Sequence, residues 1–408
     1  MQDGEVLIPV NLPTEIQLRT RNIYDNKNME GYECILMVDD EAQTVKATRQ
    51  STNSVACTLA KYTYKEPHQE MKVSLTVKWN HGNFIVDDIH EYTVTLYDCS
   101  INRRDCSECL SEISTRLPLN CGWCTGSRTC EVQNVCESEW WPHGTSNKCD
   151  FPTITDVFPI SGPYEGRTQI IIMGTDLGKR TSDMRSVTVA NTPCALQNER
   201  YEVSKRFECI TGVSLPDESG AIVVQVQANH GAIQTATYRK QFIYRDPDVL
   251  DFTPKIGPKS GGTMVTIIGQ YVNAGRNIKA YFGASSCHID RTESVVNETH
   301  LLCTTTMTNA TNSAKLSIYF DGAERLAPDY KTFVFTNDPE VSSFYPMTSM
   351  ISGGRAINVT GQYFTSIQRP KMFVNAGKLF VSLSTVSTFV RLTYLQETNF
   401  LTKLKKRK

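Results

Sequence analysis

At 408 residues the chain has room for roughly two to four domains. Its 42 basic and 43 acidic residues leave a formal net charge of −1, without the cationic surplus that a nucleic-acid binder needs. Hydrophobic residues, at 40%, suffice for ordinary cores and are too many for a mostly disordered chain, while no apolar run approaches the ~18 residues of a membrane-crossing helix.

In chain order, the first unit covers residues 1–98. Val73, Leu75, Val77 and Trp79 alternate with polar neighbours, as do Tyr92, Val94 and Leu96, which places each set on one face of a strand. This predicts a β-sandwich in which Cys34 and Cys57 staple two neighbouring strands. Met1-Gln-Asp-Gly-Glu-Val has neither the basic nor the apolar segment of a secretory signal. Eight of the 14 cysteines then fall between Cys99 and Cys149, a window of 51 residues. So small a unit cannot build a large core, and cross-links must supply what burial cannot. An even count with one dense cluster and spaced couples elsewhere (Cys194 with Cys209, Cys287 with Cys303) reads as a disulfide framework from an oxidising compartment. Such a chain needs a leader, so the expectation is an internal piece of a longer secreted or membrane-anchored protein.

Repeats follow. Pro159-Ile-Ser-Gly-Pro-Tyr-Glu-Gly-Arg-Thr168 is echoed by Pro254-Lys-Ile-Gly-Pro-Lys-Ser-Gly-Gly-Thr263. Counted from each proline, Gly stands at +3, +7 and +15, Pro at +4 and Thr at +9. A third copy begins at Pro346, with Gly353, Gly354 and Gly361 in phase. The coincidences at fixed offsets mark tandem homologous units of about 90 residues. Ile170 and Ile172, Val265 and Ile267, and Ile357 and Val359 share the core face of equivalent strands, and Ile222–Val226 and Leu316–Phe320 alternate likewise, the latter ending in an Asp321-Gly322 turn. Short strands with frequent turn signals and no long helical period favour β-sandwiches. Asp246-Pro-Asp248 and Asn337-Asp-Pro339 join successive units with almost no spacer, which predicts a semi-rigid rod.

The dense cluster, Cys99-x6-Cys106-x2-Cys109-x11-Cys121-Gly-Trp-Cys124-x5-Cys130-x5-Cys136-x12-Cys149, with its Cys-Gly-Trp-Cys turn and late Trp140 and Trp141, resembles the PSI domain of plexins, semaphorins and integrins. The repeats, with Pro-x2-Gly-Pro-x2-Gly-x-Thr and a cysteine pair, resemble IPT/TIG domains, an immunoglobulin-like sandwich. Gly261–Gly269 and Gln368–Met372 are similar to stretches of plexin repeats. The resemblance covers roughly residues 30–375. It implies an all-β chain of five units: 1–98, a divergent IPT-like sandwich; 99–150, PSI; 151–245 and 246–336, IPT/TIG; and 337–408, an IPT/TIG domain cut short. From the PSI fold it implies bridges Cys99–Cys121, Cys106–Cys149, Cys109–Cys130 and Cys124–Cys136, a choice that about 105 open pairings leave unmade by sequence. Functionally it implies a non-catalytic extracellular stalk of a plexin-like semaphorin receptor. A semaphorin-type ligand would engage parts of the receptor outside this chain, and co-receptors are further expected partners. No cofactor, nucleic acid or membrane span is expected. A PSI–IPT growth-factor receptor kinase ectodomain and an IPT-type DNA-binding factor are the alternatives, the latter opposed by the net charge and clustered cysteines.

Other readings of the same residues are weaker. Cys106, Cys109, Cys121 and Cys124 approach zinc-ribbon spacing, but that leaves four cysteines of the same small unit unexplained. Cys121-Gly-Trp-Cys124 mimics a redox dithiol without its βαβ setting. Gly261-Gly262 lacks the Lys-Ser/Thr of a phosphate loop. His81, His90 and His143 form no ligand couple. Asn297, Asn309 and Asn358 each begin an Asn-x-Thr sequon, and Asn358, between two core-facing residues, should point to solvent. The third repeat lacks a cysteine pair, and the repeat pattern fades after about Gly377 into a tail ending Lys-Leu-Lys-Lys-Arg-Lys. A truncated or mispredicted terminus is expected there, since a basic hexapeptide alone is weak grounds for a nuclear address.

Overall fold

The computed structural model describes residues 5–20, 31–79, 84–86, 93–111, 120–142, 149, 151–227, 232–289, 295–309, 311–348, 353–368, 371–376, 379–384 and 389–393. Their regular secondary structure is almost entirely strand. Among them no helix is long and apolar enough to cross a membrane.

In the N-terminal unit the strands run in the order Glu5–Pro9, Thr93–Tyr97, Glu70–Trp79, Tyr32–Val38, Glu41–Ser51, Ser54–Lys61 and Pro13–Arg19, the first pair parallel. Ile8, Ile16, Leu36, Val55, Tyr62, Val94 and Leu96 form one core inside this path. Val73 and Val77 are buried as their alternation predicts. Cys34 and Cys57, both fully buried, do not sit on neighbouring strands. The Glu41–Ser51 strand runs between theirs, pairing Val45 with Cys34 and Ala47 with Cys57. That strand pairs with one of theirs along 41–47 and with the other along 47–51, so the bridge joins them in the core with Cα atoms 5.8 Å apart. Sequence alternation reports which face a residue occupies and not which strand lies beside it.

Thr95 and Tyr97 are buried as well as Val94 and Leu96, although period two should expose one set. The cysteine-rich unit covers that second face. Tyr97 joins its core with Leu110, Trp123, Val132 and the sulfurs, and Leu7 and Leu12 pack against it. Here a five-residue helix, Cys106–Leu110, is N-capped by Asp105, and a small sheet orders Thr129–Val132, Cys121–Cys124 and Trp140–Pro142. Cys-Gly-Trp-Cys is therefore the central strand and not a turn. A Cβ on Gly122 would lie 2.4 Å from both the Trp140 ring and the Trp141 carbonyl, so only glycine lets Trp140 close over this strand.

The first two repeats share one strand order. In the first it is Thr153–Phe158, Gln169–Thr175, Arg206–Thr211, Thr192–Glu202, Met184–Val189, Ser219–Val226, Gln234–Arg245 and Ser161–Pro163. In the second the corresponding order is Asp248–Thr253, Met264–Gln270, His300–Thr305, Ser285–Ile289, Ile278–Phe282, Ser313–Phe320, Thr332–Thr336 and Ile256–Pro258. Each encloses its own apolar core. The shared glycine at +15 has a shared cause. A Cβ on Gly174, Gly269 or Gly361 would fall 2.0, 2.0 or 1.9 Å from the carbonyl oxygen of Thr153, Asp248 or Glu340 on the pairing strand. In the third repeat Glu340–Tyr345, Gly353–Gln362 and Phe389–Thr393 form a sheet, beside a Lys371–Ala376 and Leu379–Ser384 pair.

Candidate functional site: the joints between units

Besides the apolar contact of the N-terminal unit with the cysteine-rich unit, polar side chains among the described residues stitch the units together at three joints. At the first, the helix of the cysteine-rich unit abuts the first repeat. Asp105 accepts from Glu108 N (2.8 Å) with one oxygen and from Ser204 Oγ (2.7 Å) with the other. Asp176 accepts from Ser107 N at 2.9 Å, and Lys205 pairs with the buried Glu108. Glu108 also accepts from Arg104 N at 2.7 Å, so its buried charge is compensated on both sides. Beside this network, burial raises the phenol pKa of Tyr201 well above its ordinary value, and its hydroxyl donates to the Gly178 carbonyl at 2.7 Å.

The second joint, between the first and second repeats, is the most extensively bonded. Asp321 of the Asp-Gly turn accepts from Arg276 N and Asn277 N (2.6 Å) within its own unit and from Thr168 Oγ1 (2.8 Å) across the joint. The buried Glu208 of the first repeat is held by Arg206 and Gln169 and receives Arg276 from the second at 3.0 Å. Arg325 bridges Glu165 and Asp246, both at 2.8 Å, and donates to the Pro247 carbonyl of the linker. The Arg245 guanidinium lies 4.2 Å over the Tyr271 ring, a cation–π contact.

At the third joint Gln368 accepts from Met264 N (3.0 Å) and donates to Met264 O (2.7 Å), while Asp338 accepts from Ser260 N at 2.8 Å. One backbone device recurs. Offset +17 is Asp176, Tyr271 and Tyr363, each left-handed with φ of 55°, 53° and 59°. In the first two repeats this residue touches the preceding unit.

The structure pairs Cys99 with Cys121, Cys106 with Cys149, Cys109 with Cys130 and Cys124 with Cys136. It also pairs Cys34 with Cys57, Cys194 with Cys209 and Cys287 with Cys303. The four cysteines of the ribbon-like spacing thus enter four different bridges. Cys106 and Cys149 lie near Asp176, and Cys124 and Cys136 near Glu131, but these sulfurs are bonded to each other. Asn309 and Asn358 are exposed, Asn358 following the buried Ile357, and Asn297 ends the Val295–Asn297 strand. His81, His90, His143 and the basic tail at 403–408 lie outside the described residues.

The sequence marked Asp246, Pro247 and Asp338 as linker residues and Glu165, Thr168 and Ser260 as members of the repeat motif, but none of them as a contact between units. Asp321 was legible only as a turn residue and Gln368 only as the start of a stretch similar to plexin repeats, while Arg276 was not singled out.

Tandem immunoglobulin-like sandwiches with stitched joints and a disulfide-rich insert define a modular, multi-domain class of protein. Comparison with known proteins narrows it. A family described as the TIG domain found in plexin matches residues 4–97, and the IPT/TIG domain matches 152–244 and 247–335. Mouse Plexin-A2 is 32% identical over 403 residues, covering 96% of this chain and 21% of the relative. Human Plexin-B1 is 32% identical over 387 residues, covering 91% and 17%. The solved full extracellular region of plexin A4 superposes with a TM-score of 0.75 at 29% identity, covering 96% of this chain and 34% of that one. The chain belongs to the plexin family, as a segment of the ectodomain with its disulfide-rich and IPT/TIG units. It spans about a fifth of the length of the curated relatives it matches. These relatives do not favour the receptor-kinase or DNA-binding alternatives.

Proposed function

We propose that this chain is a non-catalytic stalk on the extracellular side of the plasma membrane. It spaces and orients the ligand-binding head of a semaphorin receptor whose head, span and signalling parts lie elsewhere. Its units in this reading are 1–98, 99–150, 151–245, 246–336 and 337–408, and its 14 cysteines are all structural. The observation that carries it is the second joint, where Asp321, Arg276 and Arg325 tie two sandwiches together across a short Asp-Pro-Asp linker. Inter-domain motion is the default when a small contact joins two units, and buried, compensated charges oppose it. The membrane-anchored receptor containing this segment provides the test. Replacing residues 246–336 by a flexible Gly/Ser linker should leave semaphorin binding intact and abolish signalling. Signalling retained after the replacement, or semaphorin captured by this chain alone, would overturn the spacing role.

A further inference from the structure

We infer that the residue at repeat offset +22 sets the angle between successive repeats, and that each such residue is matched to a different socket, so the two joints are not interchangeable. This rests on the stalk reading and names the side chains that would make the stalk keep its shape. Offset +22 is Arg276 in the second repeat and Gln368 in the third. Each reaches back to the preceding repeat beside the strand that follows its Gly-x-Thr turn. Arg276 finds Glu208, a carboxylate only 1% exposed, at 3.0 Å. Gln368 instead brackets Met264 with one accepted and one donated bond, as a neighbouring strand would.

Ladder registers make Leu302, close to but distinct from the Met264 that Gln368 holds, the counterpart of Glu208. Ile171 pairs with Glu208 and Thr266 with Leu302, and Ile171 and Thr266 share offset +12. Where the first repeat offers a buried anion, the second offers leucine. A guanidinium delivered to Leu302 would meet no counter-charge, whereas an uncharged amide satisfied by backbone fits. Glutamine in place of Arg276 would leave a buried carboxylate short of one of its two cations. The linkers do not supply the difference, since each is three residues containing Asp and Pro.

The test uses the full chain with spin labels carried by non-canonical amino acids at the exposed Lys240, Tyr330 and Ser342, one pair spanning each joint, and pulsed dipolar distances. Arg276→Gln should widen the Lys240–Tyr330 distribution about twofold and leave Tyr330–Ser342 unchanged. Gln368→Ala should do the reverse. Glu208→Gln, which empties the first socket of charge with little change of shape, should repeat the Arg276→Gln result should that variant fail to fold. Installing a charged pair at the third joint with Leu302→Glu and Gln368→Arg together should narrow Tyr330–Ser342 relative to Gln368→Ala. Widths unmoved by any variant, or both pairs widening together, would assign the angle to the linkers and overturn the inference. A chain with these distances that proves dispensable for signalling would sink the stalk reading alone.

Discussion

Gly269 shows how far a single residue's role can be read from offsets and then explained by geometry. Its recurrence at +15 announces a constraint, and the carbonyl of Asp248, 2.0 Å from where a Cβ would stand, is that constraint. Gly269→Ala should therefore destabilise the second repeat by about 1–3 kcal/mol through overpacking, seen as a lower urea midpoint for that unit. Asp251 carries a pH dependence. Hydrogen bonds from Lys255 and then Lys331 hold its carboxyl well below the usual range. A depressed folded pKa gives stability that is present above the unfolded value and lost as pH falls through the folded one. The second repeat should thus weaken progressively below about pH 4, and Asp251→Asn should flatten that limb of a thermal-melt profile. Its side chain is partly exposed, so solvent screening keeps the effect small. Asn358 adds a third expectation at this scale. Exposed beside the buried Ile357, it should carry a glycan in secreted product, as should Asn309, and peptide mass mapping after glycosidase treatment would show either unmodified.

At the scale of elements, what was legible follows from what strands do. Ile170 and Ile172, or Leu316, Ile318 and Phe320, are all fully buried, because alternation encodes a face and each sandwich has one core. The partners of those strands were not legible, and the Cys34–Cys57 bridge shows it. Nor did alternation foresee Thr95 and Tyr97, whose face is closed by a unit that follows them in sequence. The joints were hidden for a related reason. Asp321 and Thr168 lie 153 residues apart, and no local pattern couples them. The same logic ranks the bridges. Cys121→Ser frees Cys99 among six other cysteines of a unit whose core is largely sulfur, which invites mispairing. Cys194→Ser removes a bridge between residues 15 apart, worth ~3 kcal/mol in the chain-entropy account, from a repeat that keeps its own apolar core. Secretion from the same cells should fall much further for Cys121→Ser, and equal yields would contradict the ranking.

Across the whole molecule, stability should be unevenly distributed, and graded reduction would expose the order. Thiol–disulfide exchange needs an attacking thiolate to reach a sulfur. Cys34, Cys57, Cys194, Cys209, Cys287 and Cys303 are all at least nine-tenths buried, so their bridges open only when a sandwich opens. In the cysteine-rich unit Cys136 and Cys149 are partly exposed, which leaves Cys124–Cys136 and Cys106–Cys149 open to attack in the native state. Once they are cut, little apolar burial remains to hold that unit, for among its described residues Leu110, Trp123 and Val132, with Trp141 packed against them, are nearly all it has besides cystine. Its collapse would uncover Leu7, Leu12 and Tyr97 of the N-terminal unit and release Asp176, Ser204 and Lys205 of the first repeat from their joint. Neither neighbour should unfold, since each has a separate core. Mild reductant followed by alkylation and mass spectrometry should therefore label Cys136, Cys149 and their partners first. Limited proteolysis at the same point should cut within 99–149 and yield two resistant fragments, one on each side. Early labelling of Cys194 or Cys287, or loss of both fragments together, would mean that the units unfold as one and that the cysteine-rich insert is not the weakest element.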